Sequence, residues 1–453
     1  MKKITELQHH STPLSHGGKI VVIDPGATLN AEATAMLQAL HSRSSEGING
    51  HLKVLAERGP EKFMSTYYVQ YGHKSIGDCG TSVVFIEGIS ILAAKAIQDS
   101  RLYNGQEAST RYIDFAKQVF HNPIQTEEGN EILEKWRQFY LETVTELKQE
   151  LCLRYPRKDT EKEITYNKAI AARAFDISRG FLPAGVSTNI AWSTTLRQFS
   201  DRITELRHHP LAEVREISEK LEEAMIRCYP NSFDKDKNRY EQTEHYLDTS
   251  SNHYYYHETN SDPDIKLVHD GVNQNELLQY KDLFTSRPFK TELPKWLAAY
   301  GSASFAFNLD FGSFRDIQRH RAVIQRMPLL TSDLGFHDWY LQELPPTLQN
   351  KAIVLLSEQA EKIHQLTPEK PLRQYYLPLG YNVSNYLTGD LPALIYLVEL
   401  RASSFVHPTL AKLATQMAGI IKENYKNLQI KLHLDPEPGR FNIKRGDQDI
   451  IKK

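Results

Sequence analysis

The second half of this sequence echoes its first half in order, and that echo limits what the chain can fold into more than any other feature. Arg179-Gly180-Phe181-Leu182-Pro183-Ala184-Gly185 has a counterpart at Leu377-Pro378-Leu379-Gly380. Each is followed by a Thr-containing polar stretch and an apolar helix pattern, ending in Glu205-Leu206-Arg207 and Glu399-Leu400-Arg401. Each of those precedes a His-Pro pair, 209–210 and 407–408. Upstream, Ser82-Val83-Val84-Phe85-Ile86-Glu87-Gly88 resembles Ser304-Phe305-Ala306-Phe307-Asn308-Leu309-Asp310, and both lead into helix patterns. An ordered, degenerate repeat of this kind points to a duplicated domain. The length of 453 residues leaves room for two or three domains.

Local patterns give the elements. Ile20-Val21-Val22-Ile23, ended by Asp24-Pro25-Gly26, reads as a strand, and so does Val83–Phe85. Gly88–Leu102 carries Ile89, Leu92, Ala93, Ala96 and Ile97 at helical spacing. Residues 130–152 form the clearest amphipathic helix, with Ile132, Leu133, Trp136, Phe139, Tyr140, Val144, Leu147 and Leu151 on one face; a second runs over 211–228. From Asn231 to about Asp264 the composition turns polar, with Ser251-Asn252-His253-Tyr254-Tyr255-Tyr256-His257, and reads as a linker or large loop. His253 and His257 would suit a metal only on a helix, which their neighbours do not favour. The expected division is a tail 1–18, a first domain 19–230, a polar linker 231–270 and a second domain 271–453.

Bulk properties exclude several classes. With 54 basic against 56 acidic residues, no positive excess exists to hold a nucleic-acid polymer. Cys79, Cys152 and Cys228 are odd in number and in no C-x-x-C pairing, which disfavours a disulfide framework or cysteine zinc site and suits a reducing compartment. The apolar stretch Val83–Ile97 is broken by Glu87 and Lys95 and is too short to span a bilayer, so no membrane partner is expected. The expectation is a cytoplasmic protein.

The chemistry centres on Gln106-Glu107-Ala108-Ser109-Thr110-Arg111-Tyr112. If extended, alternate side chains point the same way, roughly 6.6 Å apart. Arg111 would then offer a planar fork to a phosphate beside Ser109 and Glu107, which can bond a sugar or base. A solvated polar loop could carry the same residues.

The neighbouring motifs resemble the flavin-dependent thymidylate synthase family, the thymidylate synthase-complementing proteins. Gly72-His73-Lys74-Ser75, Phe85-Ile86-Glu87-Gly88-Ile89-Ser90, Asp99–Tyr112 and Arg179–Arg197 occur in the family's order. Members carry R-H-R with an S-x-R-Y whose serine lies ten residues after the first arginine. Ser109 and Arg111-Tyr112 keep that spacing from Asp99-Ser100-Arg101. The second half holds a literal Arg319-His320-Arg321 but has Met327-Pro328-Leu329-Leu330-Thr331 in place of S-x-R-Y. Alone, R-H-R suits a solvated basic turn. Gln374 stands where the first half has Arg179, and Asp390-Leu391-Pro392 where it has Thr195-Leu196-Arg197.

The resemblance implies an α+β fold of two tandem domains of this family's type, each a small mixed or antiparallel sheet with long helices. It implies reductive methylation of dUMP to dTMP, with methylenetetrahydrofolate, FAD and NADPH. Arg111 and Arg179 match phosphate ligands, and Glu107, Ser109 and Tyr112 match residues lining the nucleotide. Arg197 matches a catalytic arginine meeting the uracil edge. His73, Ser75, Arg101, Thr188 and Trp192 match flavin-site positions that Arg319, His320 and Arg321 would complete. No G-x-G-x-x-G follows a strand, so NADPH is expected at the flavin rather than on a Rossmann domain. No metal is implied. Family sites are built between subunits of a homotetramer, so two such chains are expected to pair as a homodimeric pseudo-tetramer. Alternatives are a divergent flavoenzyme for another pyrimidine nucleotide and a non-catalytic nucleotide-binding or scaffold protein.

Overall fold

A computed structural model describes residues 9–23, 26, 29–44, 47–233, 243–254, 264–327 and 329–444. The chain divides into two compact units that are not consecutive: residues 1–113 with 186–252, and residues 114–185 with 253–453. The consecutive ranges expected from sequence differ from this partition because the long helix Glu127–Arg154 and its successor Glu163–Ser178 go with the second unit. The indole of Trp136, on the apolar stripe of the long helix, donates to Tyr376 O at 3.0 Å.

The first unit is built on an antiparallel sheet of β1 (His9–Pro13), β2 (Lys19–Ile23), β3 (Thr81–Ser90), β4 (Gly105–Glu107) and β5 (Ser187–Thr195), in the order β1-β2-β3-β5-β4. Residues 9–13, expected within a tail, thus form an edge strand. The alternation is that of a half-buried sheet: Ile20, Val22, Val84, Ile86, Ile190 and Trp192 face inward. Helices Leu196–Leu206 and Ala212–Cys228 bring Phe199, Ile203, Val214 and Leu221 into the core. The helix expected over Gly88–Leu102 is shorter, Ile91–Gln98, because Gly88–Ser90 continue β3 through a bulge. Ser90 then stops the strand by capping the helix, accepting from Ala93 N at 3.0 Å.

The second unit carries β6 (Lys266–Asp270), β7 (Ser302–Asp310), β8 (Ile324–Arg326) and β9 (Asn382–Asp390), antiparallel in the order β6-β7-β9-β8. This repeats β2-β3-β5-β4 strand for strand, an α+β duplication as expected. Each β3-type strand runs directly into an eight-residue helix, Ile91–Gln98 or Phe311–Gln318. Each β5-type strand runs into two more, and in the second unit these are Leu391–Arg401 and Pro408–Asn424. Phe305, Phe307, Leu387, Leu394 and Met417 are among the residues of its core.

The two Leu-Pro segments, both in the second unit, pair with each other. Ala184 N donates to Leu377 O (2.9 Å) and Leu379 N to Leu182 O (2.8 Å), around a bridge between Pro183 and Pro378. Gly185 N donates to Tyr375 O (2.9 Å) and Gly380 N to Gly180 O (2.8 Å). Equivalent atoms of the two repeats thus exchange bonds, the pattern of a two-fold axis. Glycine is required for that approach: a Cβ on Gly185 would sit 2.6 Å from Tyr375 O, and one on Gly380 would sit 2.4 Å from the Phe336 ring.

Of the expected linker 231–270, residues 234–242 and 255–263 lie outside the described residues, and His257 is among them. Residues Thr243–Tyr254 form a helix, against the loop reading. Tyr246 stacks on His208 at 5.3 Å, a docking contact that local propensity does not register.

Candidate functional site

In the first unit the Glu107–Arg111 edge departs from a continuous extended segment. β4 ends at Glu107, whose Oε2 accepts from Gln98 Nε2 at 3.0 Å. Ser109 caps a 3-10 turn over Thr110–Tyr112 by accepting from Arg111 N at 3.4 Å, and that capping bond turns the chain out of the strand. Ser109 and Arg111 are exposed; the side chain of Tyr112 lies outside the described residues. Arg101, His73 and Ser75 are also exposed, His73 at the entry to the short helix Lys74–Gly77.

Arg197 opens the helix Leu196–Leu206 and is held by two carboxylates, Nη1 to Asp78 at 2.8 Å and Nε to Asp201 at 3.6 Å. The hydrogen bond to Asp78 raises its pKa above the ordinary value. Thr188 and Trp192, expected beside a flavin, are buried in β5. The Trp192 ring packs 4.6 Å from Phe199 and 6.3 Å from Tyr103, a core environment.

The second unit gathers the charge. Arg179 is half-buried, with Nη2 donating to Ser313 Oγ at 3.2 Å and Nε shut away with no hydrogen-bond partner. Burial opposes its charge, but Tyr340, Asp176, Asp316 and Asp310 outweigh that and raise its pKa. Asp316 is the hub. Burial pushes its carboxyl up, yet the guanidiniums of Arg319, Arg179, Arg401 and Arg315 together hold it below the ordinary value. Arg315 shows the converse: burial, with Arg319 adding to it against Asp316, pulls its pKa down to about 10. Arg319 is half-exposed, 4.0 Å from Asp316, and Arg321 is exposed.

Hydrogen bonds fix the histidine tautomers. His320 is buried, and its Nε2 lies 2.7 Å from Arg401 Nε, which can only donate. His320 therefore carries its proton on Nδ1. Burial, with the charge of Arg401, lowers its pKa to about 3, so the ring is neutral at pH 7. Behind Arg179 lies a second buried group. Asp310 Oδ2 accepts from Ser313 N (2.9 Å) and Tyr340 OH (2.8 Å). Ser313 Oγ lies 3.2 Å from His407 Nδ1 and 2.8 Å from Thr409 Oγ1. His407 Nε2 lies 3.1 Å from Asp176 O and donates to it. Burial and Arg179 lower the His407 pKa to about 3.

The structure thus brings Arg179 to the helix that leads into Arg319-His320-Arg321, and keeps Glu107, Ser109, Arg111 and Arg197 on the first unit. Sequence reasoning did not single out Arg315, Asp316, Arg401, Asp310 or His407. Their signal was positional, since Asp310, Arg401 and His407 each stand at the edge of a repeated segment.

This architecture can be set beside known proteins. Residues 26–231 match the model of the thymidylate synthase complementing protein family. That region belongs to the family. The match carries a thymidylate synthase-like role in nucleotide biosynthesis at the level of the family. The chain is also 25% identical over 412 residues to the UPF0159 protein of Chlamydia pneumoniae, covering 79% of this chain and 76% of that one. It is 22% identical over 479 aligned positions to the UPF0159 protein Ta1429 of Thermoplasma acidophilum, covering 90% and 94%. Similarity of that extent spans both units. Among the described residues no helix is long and apolar enough to cross a membrane.

Proposed function

We propose that this chain is a divergent flavin-dependent thymidylate synthase that methylates dUMP to dTMP, with methylenetetrahydrofolate as carbon donor and NADPH as reductant. The observation that carries the reading is the gathering of arginines at the helix Phe311–Gln318, with Arg319 4.0 Å from the Asp316 carboxylate, Arg401 bonded to Asp316 O and Arg179 to Ser313 Oγ, in a chain whose residues 26–231 match the family. Guanidiniums in surplus, one with a buried Nε lacking a partner, suit the phosphate oxygens of FAD. Arg179, Arg319, the Nδ1–H of His320 and Arg321 would hold that group. When bound, FAD supplies hydride transfer to the pyrimidine ring.

The remaining residues bind and orient. Arg111 and Ser109, both exposed, are suited to a nucleotide phosphate, and Glu107 to the sugar or base. Arg197 places positive charge where negative charge develops on the pyrimidine. A neutral His320 with its Nε2 tied to Arg401 donates from one nitrogen only, which orients a ligand without supplying an acid. Two chains pair to form the pseudo-tetramer, and the three free cysteines suit a reducing compartment.

Purified protein incubated with FAD, dUMP, methylenetetrahydrofolate and NADPH should form dTMP. Protein that stays colourless after reconstitution with FAD sinks the flavin reading and favours a nucleotide-binding scaffold. Arg197→Ala should lower kcat by about 10²–10³-fold, the usual loss on removing one preorganised donor; undiminished turnover removes Arg197 from the mechanism. The pairing of Arg197 with Asp78 and Asp201 favours a second reading, in which the flavin is kept and the pyrimidine differs. Replacing dUMP by other pyrimidine monophosphates in the same assay separates the two.

A further inference from the structure

The duplicated architecture presents the same helix end twice, once in each half, and the two copies carry different charge. Taking the helix caps Ser90 and Asp310 as equivalent, Lys95 corresponds to Arg315, Ala96 to Asp316, Asp99 to Arg319 and Ser100 to His320. In each half an arginine also reaches back to this helix from the helix after the β5-type strand, though from positions one turn apart. Arg202 Nη2 donates to Ala96 O at 2.8 Å, and Arg401 Nη2 donates to Asp316 O at 2.6 Å.

In the first half these cations have partners on the same elements. Lys95, buried, pairs with Asp99 at 3.5 Å, and Arg202 pairs with Glu205. The formal charge of that set is zero. In the second half the same helix and the arginine reaching back to it bring together Arg315, Asp316, Arg319 and Arg401, a formal charge of plus two. Counted from the caps Thr195 and Asp390, exposed Leu400 stands where the first half has Glu205, one residue on from the sequence pairing with Glu399, which is taken by Arg287. The facing Leu-Pro turns differ in the same sense. Arg179 presents a guanidinium to the second-half helix, whereas its counterpart Gln374 is neutral, buried and tied at both ends. Its Oε1 accepts from Leu330 N (3.0 Å) and its Nε2 donates to Pro371 O (3.2 Å).

We infer that the chain holds one phosphate-bearing ligand, not two: the second-half position binds it through Arg179, Arg319 and Arg401, and the first-half copy is closed by its own Asp99 and Glu205. The inference rests on the cluster assigned above to the cofactor, but not on the reaction. A diphosphate ester fits best, because a ligand with several anionic oxygens can engage more than one guanidinium fork. The first-half copy gains nothing from an anion, since any phosphate there must displace a carboxylate already in place.

Titration calorimetry of the full chain with inorganic pyrophosphate at low salt tests this directly. The expected result is saturation at one pyrophosphate per chain. Arg319→Asp, which gives the second half the first half's residue at a half-exposed position, should weaken binding at least about 10- to 100-fold. Thermal melting of that variant should stay near the wild type, showing that loss of binding is not loss of fold. Two pyrophosphates per chain, no saturable binding, or a folded Arg319→Asp variant that binds like the wild type would each overturn the inference. FAD content after reconstitution gives the independent arm. One pyrophosphate per chain without any dTMP formation leaves the inference standing and removes the proposed reaction. Two flavins per chain with dTMP formed does the reverse.

Discussion

The two halves solve one local problem with opposite residues. At the start of the helix after β3, the first half has a hydroxyl cap, Ser90, facing a carboxylate from a distant helix: Glu213 accepts from Ser90 N at 2.7 Å and Ser90 Oγ at 2.6 Å. At the start of the helix after β7, the second half has a carboxylate cap, Asp310, facing a hydroxyl from the equivalent helix, Thr409. Acid and alcohol have changed places across the junction. The exchange also moves a negative charge onto the helix next to Arg179. Burial pushes the Asp310 carboxyl up, but its histidine neighbours, Arg179 and Thr409 outweigh burial and hold it below its ordinary value. The comparison teaches that the fold needs one acid and one hydroxyl at this junction, while the electrostatics of the site depend on which side bears the acid.

The sharpest way to break the comparison is to remove both caps. Asp310→Ala should destabilise the protein by about 3–5 kcal/mol, because the buried charge of Arg179 loses a compensating carboxylate. Denaturant unfolding would show it, and a loss under about 1 kcal/mol would mean that Asp310 acts only as a cap. Acidification should separate the halves next. His320 and His407 sit at about 3 against an ordinary 6.5. Below pH 6.5 the unfolded chain takes up protons on them that the folded chain refuses until about pH 3, so stability falls as pH drops through that window. Counted from the helix caps the first half has Ser100 and Leu211 at these places, its own His209 lying two residues before the cap, so His407→Gln should flatten the dependence of melting temperature on pH, and an unchanged slope counts against this assignment. Gly380→Ala should cost about 1–3 kcal/mol by overpacking against Phe336, and Gly185→Ala a similar amount on the other side of the axis. A large difference between the two would show that the axis is not shared equally. Ser90→Ala should have the smallest effect, about 1 kcal/mol, since Glu213 keeps the bond from Ser90 N.

Much of the fold was legible because periodicity survives divergence. The stripe from Ile132 to Leu151 became the helix Glu127–Arg154, and Val214–Met225 became Ala212–Cys228. The Leu-Pro repeats marked equivalent turns. What could not be read was partnership. Nothing in the stripe around Trp136 says that its unit also contains Tyr376 rather than only the strands nearest in sequence. The candidate site was legible in part for the same reason. Arg319-His320-Arg321 is contiguous and visible as a motif. The residues that set its charge, Asp316, Arg401 and Arg179, come from three segments and meet only in the folded chain. Glu107, Ser109 and Arg111 were visible as a pattern, but the turn capped by Ser109 changed where they point. Trp192 belonged to the alternation of β5, and that periodicity placed it in the core.

The joint between the two Leu-Pro turns is made by peptide groups, with Ala184, Gly185, Leu379 and Gly380 giving only their N–H groups across it. Amide pairing is blind to side-chain identity so long as the glycines leave room. A seam of that kind tolerates unequal drift on its two sides, and it let one copy exchange an arginine for Gln374 without loosening its grip on its twin.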